Sequence, residues 1–364
     1  MPAHAMVKPS SAFDVAVDGY QFNVKPVAAR SRLHPALPRP RGPLSHSVIG
    51  MLRERVPHSH LTRIKTSLAD ADPFGLDLQL ALYVCYELHY RGFDGVHARW
   101  EWDPALLHLR GRIEDIFLDA LRAAVGRIGP GADPVGEIEA LSREPVERAG
   151  LSWYLREEGS WDQMRELFAH RSLYHLKEAD PHAWVIPRLV GHAKASFVAV
   201  EFDEYGAGRG ARLHQELFAD LLEAAGLDST YLGYLDDVGA ETLAAVNVMS
   251  LFGLHRELRG ATVGHFAATE ITSPPGSRRL VEALRRMDAP EPCVRFYAEH
   301  VEADAVHEQV VRTDVIGDLL ATEPYLAGDV VFGMRAFGLV EDRLAAALLD
   351  SWKQGRSSLR RALS

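Results

Sequence analysis

Apolar residues recur at every third or fourth position through most of the chain beyond about residue 60. This period is typical of helices with one apolar face, whereas the period of two that indicates strands is scarce. Ser160, Gly226 and the pair Pro274 and Pro275 are typical helix start and stop signals. The pattern therefore predicts an all-α helical bundle. Its clearest segments are LDLQLALYVCYELHY, PALLHLRGRIEDIFLDALRAAV, WDQMRELFAHRSLYHLKE, RLHQELFADLLEAAG and EDRLAAALLDSWKQG.

The N-terminal part of the chain has a different pattern. The stretch RSRLHPALPRPRGPLSH combines prolines with arginines and has no apolar period, as is typical of linkers and tails. We therefore expect residues 1–60 to form a disordered or extended segment. Residues 61–155 are predicted as an accessory helical region, and residues 156–364 as the core of the bundle.

One predicted helix carries polar residues on the face that should be buried. In EHVEADAVHEQV, His300, Asp304 and His307 follow one another at steps of four and three residues. At about 100° per residue, these side chains lie within roughly 60° of each other. Helical bundles hold di-iron sites with a carboxylate three residues from a histidine on an inward face. The segment is therefore a candidate metal site.

Three further helices place a metal-binding side chain on an apolar face. The face that includes Leu167 and Tyr174 ends at Glu178, the face that includes Phe197 ends at Glu204, and His214 precedes another such face. A buried carboxylate without a partner is costly, so a convergence of these residues favours a bound cation. Solvated carboxylates at helix ends and ordinary core histidines remain the alternative.

The same residues carry a resemblance to a known family. HRSLYHLKEADPHAWVIPRL, DEYGAGRGARLHQELF and HVEADAVHEQV resemble the haem-oxygenase-like di-iron oxidases and oxygenases, the iron-containing redox enzymes. The resemblance covers about residues 75–355. It implies a haem-oxygenase-like helical core that holds two irons and no haem, with O2 as co-substrate.

The resemblance also implies a ligand set. Glu178 matches the first glutamate ligand, Glu204 and His214 match a second glutamate and a histidine ten residues later, and the last helix supplies His300, Asp304 and His307. Members of the family oxygenate amine nitrogens, desaturate substrates or cleave C–C bonds of amino acids and fatty acids. These three reactions remain alternatives at the level of sequence.

Other residues are candidates for supporting roles. Arg171 shares a helix face with Glu178 and could hold a substrate carboxylate, although pairing with a neighbouring acid explains it as well. Aromatic residues that could line a pocket or simply pack in the core are Tyr174, Phe197 and Tyr297.

Two carboxylates and one glycine-rich segment have alternative interpretations. Glu270, with His265, could support the ligands or act as a spare ligand, or both could pack in the core. Glu201, one turn before Glu204, could substitute for it. The glycines of GAGRG follow a predicted helix instead of a strand, so we interpret them as a tight break and not as a nucleotide loop.

The composition of the chain limits the kinds of partner that the protein is expected to bind. The net charge of −10 argues against nucleic acid, and no run is apolar enough for a signal peptide or a membrane span. We expect a cytoplasmic protein with a small-molecule substrate; a homodimer is left open. Cys85 and Cys293 lie in apolar helical contexts and are expected to be buried, reduced thiols.

The sequence thus predicts a non-haem di-iron enzyme that uses O2 to oxidise a small amine, amino acid or fatty-acid-like substrate. Two alternatives remain. One is a hydrolase that holds redox-inert zinc or manganese on the same ligands. The other is a helical binding protein without catalytic activity, against which the complete ligand set counts.

Overall fold

The computed structural model describes residues 34–54, 68–129, 131–143 and 149–363, without the side chains of residues 302–306. Within these residues there is no strand, and the prediction of an all-α bundle is confirmed. The remaining residues of the predicted N-terminal segment, and the first residues of the predicted accessory region, lie outside the described ranges. The helices are α1 (Pro43–Leu52), α2 (Leu76–Glu87), α3 (Pro104–Val125), α4 (Pro134–Ser142), α5 (Leu151–Glu157), α6 (Trp161–His175), α7 (Asp180–Ala183), α8 (Gly191–Glu204), α9 (His214–Ala224), α10 (Ala240–Leu254), α11 (Arg259–Arg286), α12 (Glu291–Gln309), α13 (Gly317–Thr322) and α14 (Ala327–Lys353).

The predicted start of α6 is confirmed, and the predicted stop within α11 is wrong. Ser160 and Gln163 exchange hydrogen bonds between side chain and backbone N–H, which forms a capping box. Pro274 and Pro275, in contrast, lie inside α11. They lack the N–H groups that would bond to the carbonyls four residues earlier. The helix continues because α11 packs along its length against α12 and α14, and this packing outweighs the local preference.

The structure also corrects the prediction for part of the N-terminal segment. Residues 43–52 form α1, which buries Val48, Ile49 and Leu52. The carboxylate of Asp77, in α2, accepts hydrogen bonds from the first backbone N–H groups of α1. This short helix was missed because its apolar period is brief and follows a proline-rich stretch.

Buried residues from both ends of the chain share one core. One hydrophobic cluster unites side chains of α1, α2 and α3 with those of α6, α9, α10 and α14. A second cluster lies between α8, α11 and α14. The division of the chain into an accessory region and a core at residue 155 therefore stays a prediction. The described helices on both sides of residue 155 pack together. Cys85 and Cys293 are buried free thiols, as expected.

A π-helix at Val310–Ile316 joins α12 to α13. Just beyond it, the Asp318 carboxylate accepts a hydrogen bond of 2.8 Å from the backbone N–H of Ala193, in the first turn of α8. This contact fixes the start of α8 relative to the end of α12. Among the described helices, none is both long and apolar enough to cross a membrane.

Glycines allow α11 and α14 to touch backbone to backbone. A Cβ atom on Gly264 would lie 1.9 Å from the carbonyl oxygen of Val330, and one on Gly333 would lie 2.0 Å from that of Ala261. No side chain fits at either position without moving the helices apart. This contact fixes the crossing of the two helices.

We expect the substitution Gly333→Ala to lower the free energy of unfolding by about 1–3 kcal/mol, because overpacking forces backbone shifts. Gly338 lies on the same helix, and a Cβ atom added there would meet no neighbouring group within 4 Å. Gly338→Ala should therefore raise stability by about 0.5–1 kcal/mol. Urea denaturation of both variants measures the difference. Equal stability of the two would contradict the close crossing.

Candidate metal centre

Four of the predicted ligands meet in one buried group, here called the first cluster. Glu178, Glu204, His214 and His300 are all buried, and each offers a ligand atom within 4.8 Å of the others. They come from the segment between α6 and α7, the last residue of α8, the first residue of α9 and the middle of α12. The predicted convergence of four separate segments is thus present for these residues.

The glycine-rich segment between α8 and α9 makes the turn that brings Glu204 and His214 together. Gly206 has φ of +68°, a conformation that favours glycine. A Cβ atom there would lie 2.6 Å from the carbonyl carbon of Arg212. The segment is therefore a tight break between two helices, as interpreted from the sequence.

A second cluster lies beside the first and shares one residue with it. Glu204, Glu270 and His307 are buried and offer ligand atoms within 4.8 Å of one another. The Glu204 carboxylate directs one oxygen to each cluster. Its Oε2 lies 2.7 Å from Nδ1 of His214, and its Oε1 lies 3.7 Å from Nδ1 of His307.

Glu270 is placed in the second cluster by the fold. Its Oε2 lies 3.1 Å from Nδ1 of His307, which agrees with the interpretation of Glu270 as a further ligand. His265, its neighbour in that interpretation, instead pairs with His182 at 3.1 Å. The side chain of Asp304 lies outside the described residues, so its predicted role as a ligand stays a prediction.

The two histidines of α12 have their rings oriented by other groups. Nδ1–H of His300 donates to the Phe296 carbonyl at 2.8 Å, and Nε2 lies 3.6 Å from Oε1 of Glu178. For His307, Nε2 lies 3.3 Å from the Asp203 carboxylate while Nδ1 faces the second cluster. In metal-binding histidines, the ring nitrogen that does not bind the metal commonly donates a hydrogen bond to a carboxylate or a carbonyl. This hydrogen bond fixes the tautomer and the orientation of the ring.

His175 and Asp203 belong to the site, and the sequence analysis missed both. Nδ1 of His175 lies 2.8 Å from Oε1 of Glu178. In the sequence, the spacing of three residues between His175 and Glu178 is typical of one helix face, which was the available signal. Asp203 is adjacent to Glu204 but reaches His307 from a largely exposed position, and no periodic pattern indicates such a residue.

Charges in the first cluster are coupled. Burial disfavours ionisation of Glu178, but the imidazoles of His175 and His300 outweigh it and hold the pKa of the carboxyl well below its usual range. Burial likewise lowers the pKa of His214, but the Glu204 carboxylate more than offsets this and raises it overall. A cation that binds the His214 imidazole competes with the proton that this raised pKa favours. Cation binding should therefore strengthen as the pH rises.

Glu201 belongs to neither cluster. It is 2% exposed, and neither carboxyl oxygen has a hydrogen-bond partner among the described residues. Burial, followed by the nearby charges of Glu204 and Glu270, raises its pKa well above the usual range. These surroundings favour the neutral form of the Glu201 carboxyl, and its suggested role as a substitute for Glu204 stays untested.

A cavity of about 510 Å³ leads away from the clusters. Its lining includes the candidate ligands Glu178, Glu204, Glu270 and His300, together with Tyr174 and Tyr297, for which the sequence suggested this role. Phe197 is instead a core residue, whose ring packs 4.5 Å from that of Phe266. The polar side chains in the lining include those of Ser152, Ser277, Arg279, Glu341 and Asp342.

Arg171 lines the same cavity and is paired with an acid. Its two terminal nitrogens lie 2.8 and 2.5 Å from the two carboxylate oxygens of Glu341. Burial opposes the charge on Arg171, but Glu341 outweighs burial and raises its pKa further. The role of Arg171 in binding a substrate carboxylate stays a prediction.

The residues of both clusters fit a pair of metal ions. Oε2 of Glu178 is buried and accepts no hydrogen bond from the described residues, and a buried carboxylate oxygen of this kind needs a positive partner. Carboxylates combined with imidazoles are the donors that non-haem iron prefers. The donor set would also accept zinc, which uses the same ligand types.

Comparisons with known proteins agree with this donor chemistry. Residues 165–342 match the family model described as iron-containing redox enzyme, and this range includes every candidate ligand. Nitrosourea synthase from Streptomyces achromogenes subsp. streptozoticus is 26% identical over 236 residues, which is 65% of this chain. The match spans 45% of that relative, so the chain corresponds to less than half of its length.

Proposed function

Since residues 165–342 of this chain belong to the iron-containing redox enzyme family, we propose that the protein is a non-haem di-iron oxidoreductase that uses O2 as co-substrate. Its substrate is a small amine, amino acid or fatty-acid-like molecule. The relative's name, nitrosourea synthase, favours oxidation at nitrogen among the three reactions considered.

One observation carries the proposal: two buried clusters of carboxylates and imidazoles share Glu204. A carboxylate with one oxygen toward each cluster can bridge two cations and hold them at a fixed separation. An isolated structural metal site needs no second cluster and no open cavity beside it. The shared residue therefore supports a two-metal centre more than a single structural ion.

The ligands divide the work of holding the metals. Glu178, His214 and His300 would hold one ferrous ion, and Glu270 and His307 the other, with Glu204 between them. Asp304 is proposed for the second ion from the sequence. Bound iron would supply electrons for the reduction of O2, which the side chains of the site cannot provide by themselves.

Other side chains shape the surroundings of the metals. Phe296 packs its ring 4.5 Å from that of His300 and helps to exclude water from the first cluster. The phenol of Tyr174 stays neutral, because burial and the charges of Glu178 and Glu204 raise its pKa well above the usual range. In the cavity wall, Arg171 and Glu341 provide one positive and one negative group that could orient a polar substrate.

Anaerobic loading with Fe(II) followed by exposure to O2 tests the proposal. We expect the protein to take up two Fe(II) ions per chain, to consume O2 and to give a transient visible absorption. Candidate amines, amino acids and fatty acids should change the decay of that absorption when they are substrates. Failure to bind iron, or full activity with zinc, would contradict the proposal and favour a hydrolase or a binding protein.

A further inference from the structure

Three ligands of the first cluster each lie within two residues of a member of one hydrogen-bond network. Asp180, two residues after Glu178, lies at its centre. Tyr205 follows Glu204, and Gln215 follows His214. We call Asp180, Tyr205 and Gln215 the Asp180 clasp.

The clasp joins both sides of the break between α8 and α9 to one carboxylate oxygen. The Tyr205 hydroxyl donates to Oδ1 of Asp180 at 2.9 Å, and Nε2 of Gln215 lies 3.3 Å from the same oxygen. The Gln215 amide also donates to the Glu178 carbonyl at 3.0 Å. The backbone of Glu178 and the neighbours of Glu204 and His214 are thereby held together.

Arg91 anchors the clasp to the N-terminal helices. It follows α2 by four residues and donates to the side-chain oxygen of Gln215 at 3.0 Å and to the Leu176 carbonyl at 3.2 Å. Its guanidinium also lies 4.1 Å from the ring centre of Tyr231. The network therefore reaches from α2 to the ligand-bearing segments.

The break turns the chain between Glu204 and His214, but it is not a continuous α-helix. Residues 205–213 contain two short 3-10 turns in place of an α-helix, and three consecutive residues, Gly206, Ala207 and Gly208, have positive φ. A segment of this kind lacks the continuous hydrogen bonds that fix distances within a helix. Contacts outside it must hold its two ends.

We infer that the Asp180 clasp is a positioning device for the first metal: it sets the separation of Glu178, Glu204 and His214 and thereby the affinity of that site. The inference rests on the proposed di-iron function. The members of the clasp touch no metal and take no part in the chemistry. The second cluster contains no neighbour of the clasp other than Glu204, so its affinity depends on the clasp only through that residue.

The substitution Tyr205→Phe removes one hydroxyl and tests the inference directly. Loss of a group that orients a metal ligand typically lowers metal affinity about 10–100-fold. We expect this loss for one of the two Fe(II) ions, measured by anaerobic competition with a chelator, and little change for the other. When Co(II) is bound in place of Fe(II), its visible absorption reports the geometry of the ligands. We expect the absorption of the Co(II) ion at the same site to differ between Tyr205→Phe and the wild type.

Three further variants separate positioning from general stability. Tyr234→Phe removes the hydroxyl that accepts a hydrogen bond from the backbone N–H of Asp228, outside the clasp, and should leave both metal affinities unchanged. Asp180→Asn keeps an acceptor oxygen for Tyr205 and should restore most of the affinity that Asp180→Leu loses. Melting of the metal-free proteins should be similar for Tyr205→Phe and Tyr234→Phe.

The outcomes are distinct. Selective weakening of one site in Tyr205→Phe supports the inference, provided that Asp180→Asn keeps most of the affinity that Asp180→Leu loses. Unchanged affinities, or an equal loss at both sites together with a lower melting temperature, overturn it while the di-iron function stands. A wild-type protein that binds no Fe(II) overturns the proposed function, and the inference with it.

Discussion

Glu204→Ala is expected to reduce bound iron from two ions per chain to none, whereas Glu178→Ala and Glu270→Ala should each leave one. Glu204 is the residue common to both clusters, and its two oxygens face different histidines. Its loss removes a ligand from each site at once. O2-dependent activity should fall by more than the roughly 100-fold that marks the upper range for loss of a supporting group. Metal analysis after anaerobic loading and desalting measures the stoichiometry.

Glu201→Gln is the matched control for this experiment. Glu201 lies one turn earlier on α8, is also buried and belongs to neither cluster. Because burial and the nearby carboxylates raise its pKa and so favour the neutral form, we expect replacement by a neutral amide to change little. We expect this variant to retain both ions. A Glu204→Ala protein that still binds two ions would show that the shared carboxylate is not required.

Lys177→Met is expected to lower the free energy of unfolding of the metal-free protein by about 3–5 kcal/mol, because it leaves a buried carboxylate without its counter-charge. Lys177 and Glu87 are 1% and 0% exposed, and Nζ of Lys177 lies 3.0 Å from Oε2 of Glu87. Urea denaturation of the metal-free protein gives the difference.

Two comparisons make this result specific. Lys353→Met, at an exposed position at the end of α14, should change stability by no more than about 0.5 kcal/mol. Combining Lys177→Met with Glu87→Gln removes both charges and should recover a substantial part of the loss. A Lys177→Met protein as stable as the wild type would mean that Glu87 finds another partner or a proton.

The parts of the site that could be predicted are those that interrupt a periodic pattern. A carboxylate or imidazole on an apolar helix face is visible in one sequence, which is how Glu178, His214 and His300 were found. Glu270 lies on an apolar helix too, but several interpretations fitted it equally. What distinguishes it is its contact with His307, 37 residues later in the chain, and periodicity carries no information about such pairs.

The errors in the fold have a similar cause. Pro274 and Pro275 disfavour a helix locally, yet packing against neighbouring helices keeps α11 continuous. The brief helix α1 depends on Asp77, which caps it from another element. Local preference is a good guide where it agrees with tertiary contacts. It fails where a distant residue supplies the deciding hydrogen bond or packing surface.

The position of α12 in the chain has a consequence for how the enzyme is assembled. Each cluster is completed by a histidine of this helix, His300 in the first and His307 in the second, although Glu178, Glu204 and His214 are synthesised well before them. Contacts between distant parts of a chain form late, because closing long loops is slow. Iron supplied during synthesis would meet an incomplete set of donors. Under the proposed function, iron would therefore bind both clusters only after α12 has packed against the earlier helices.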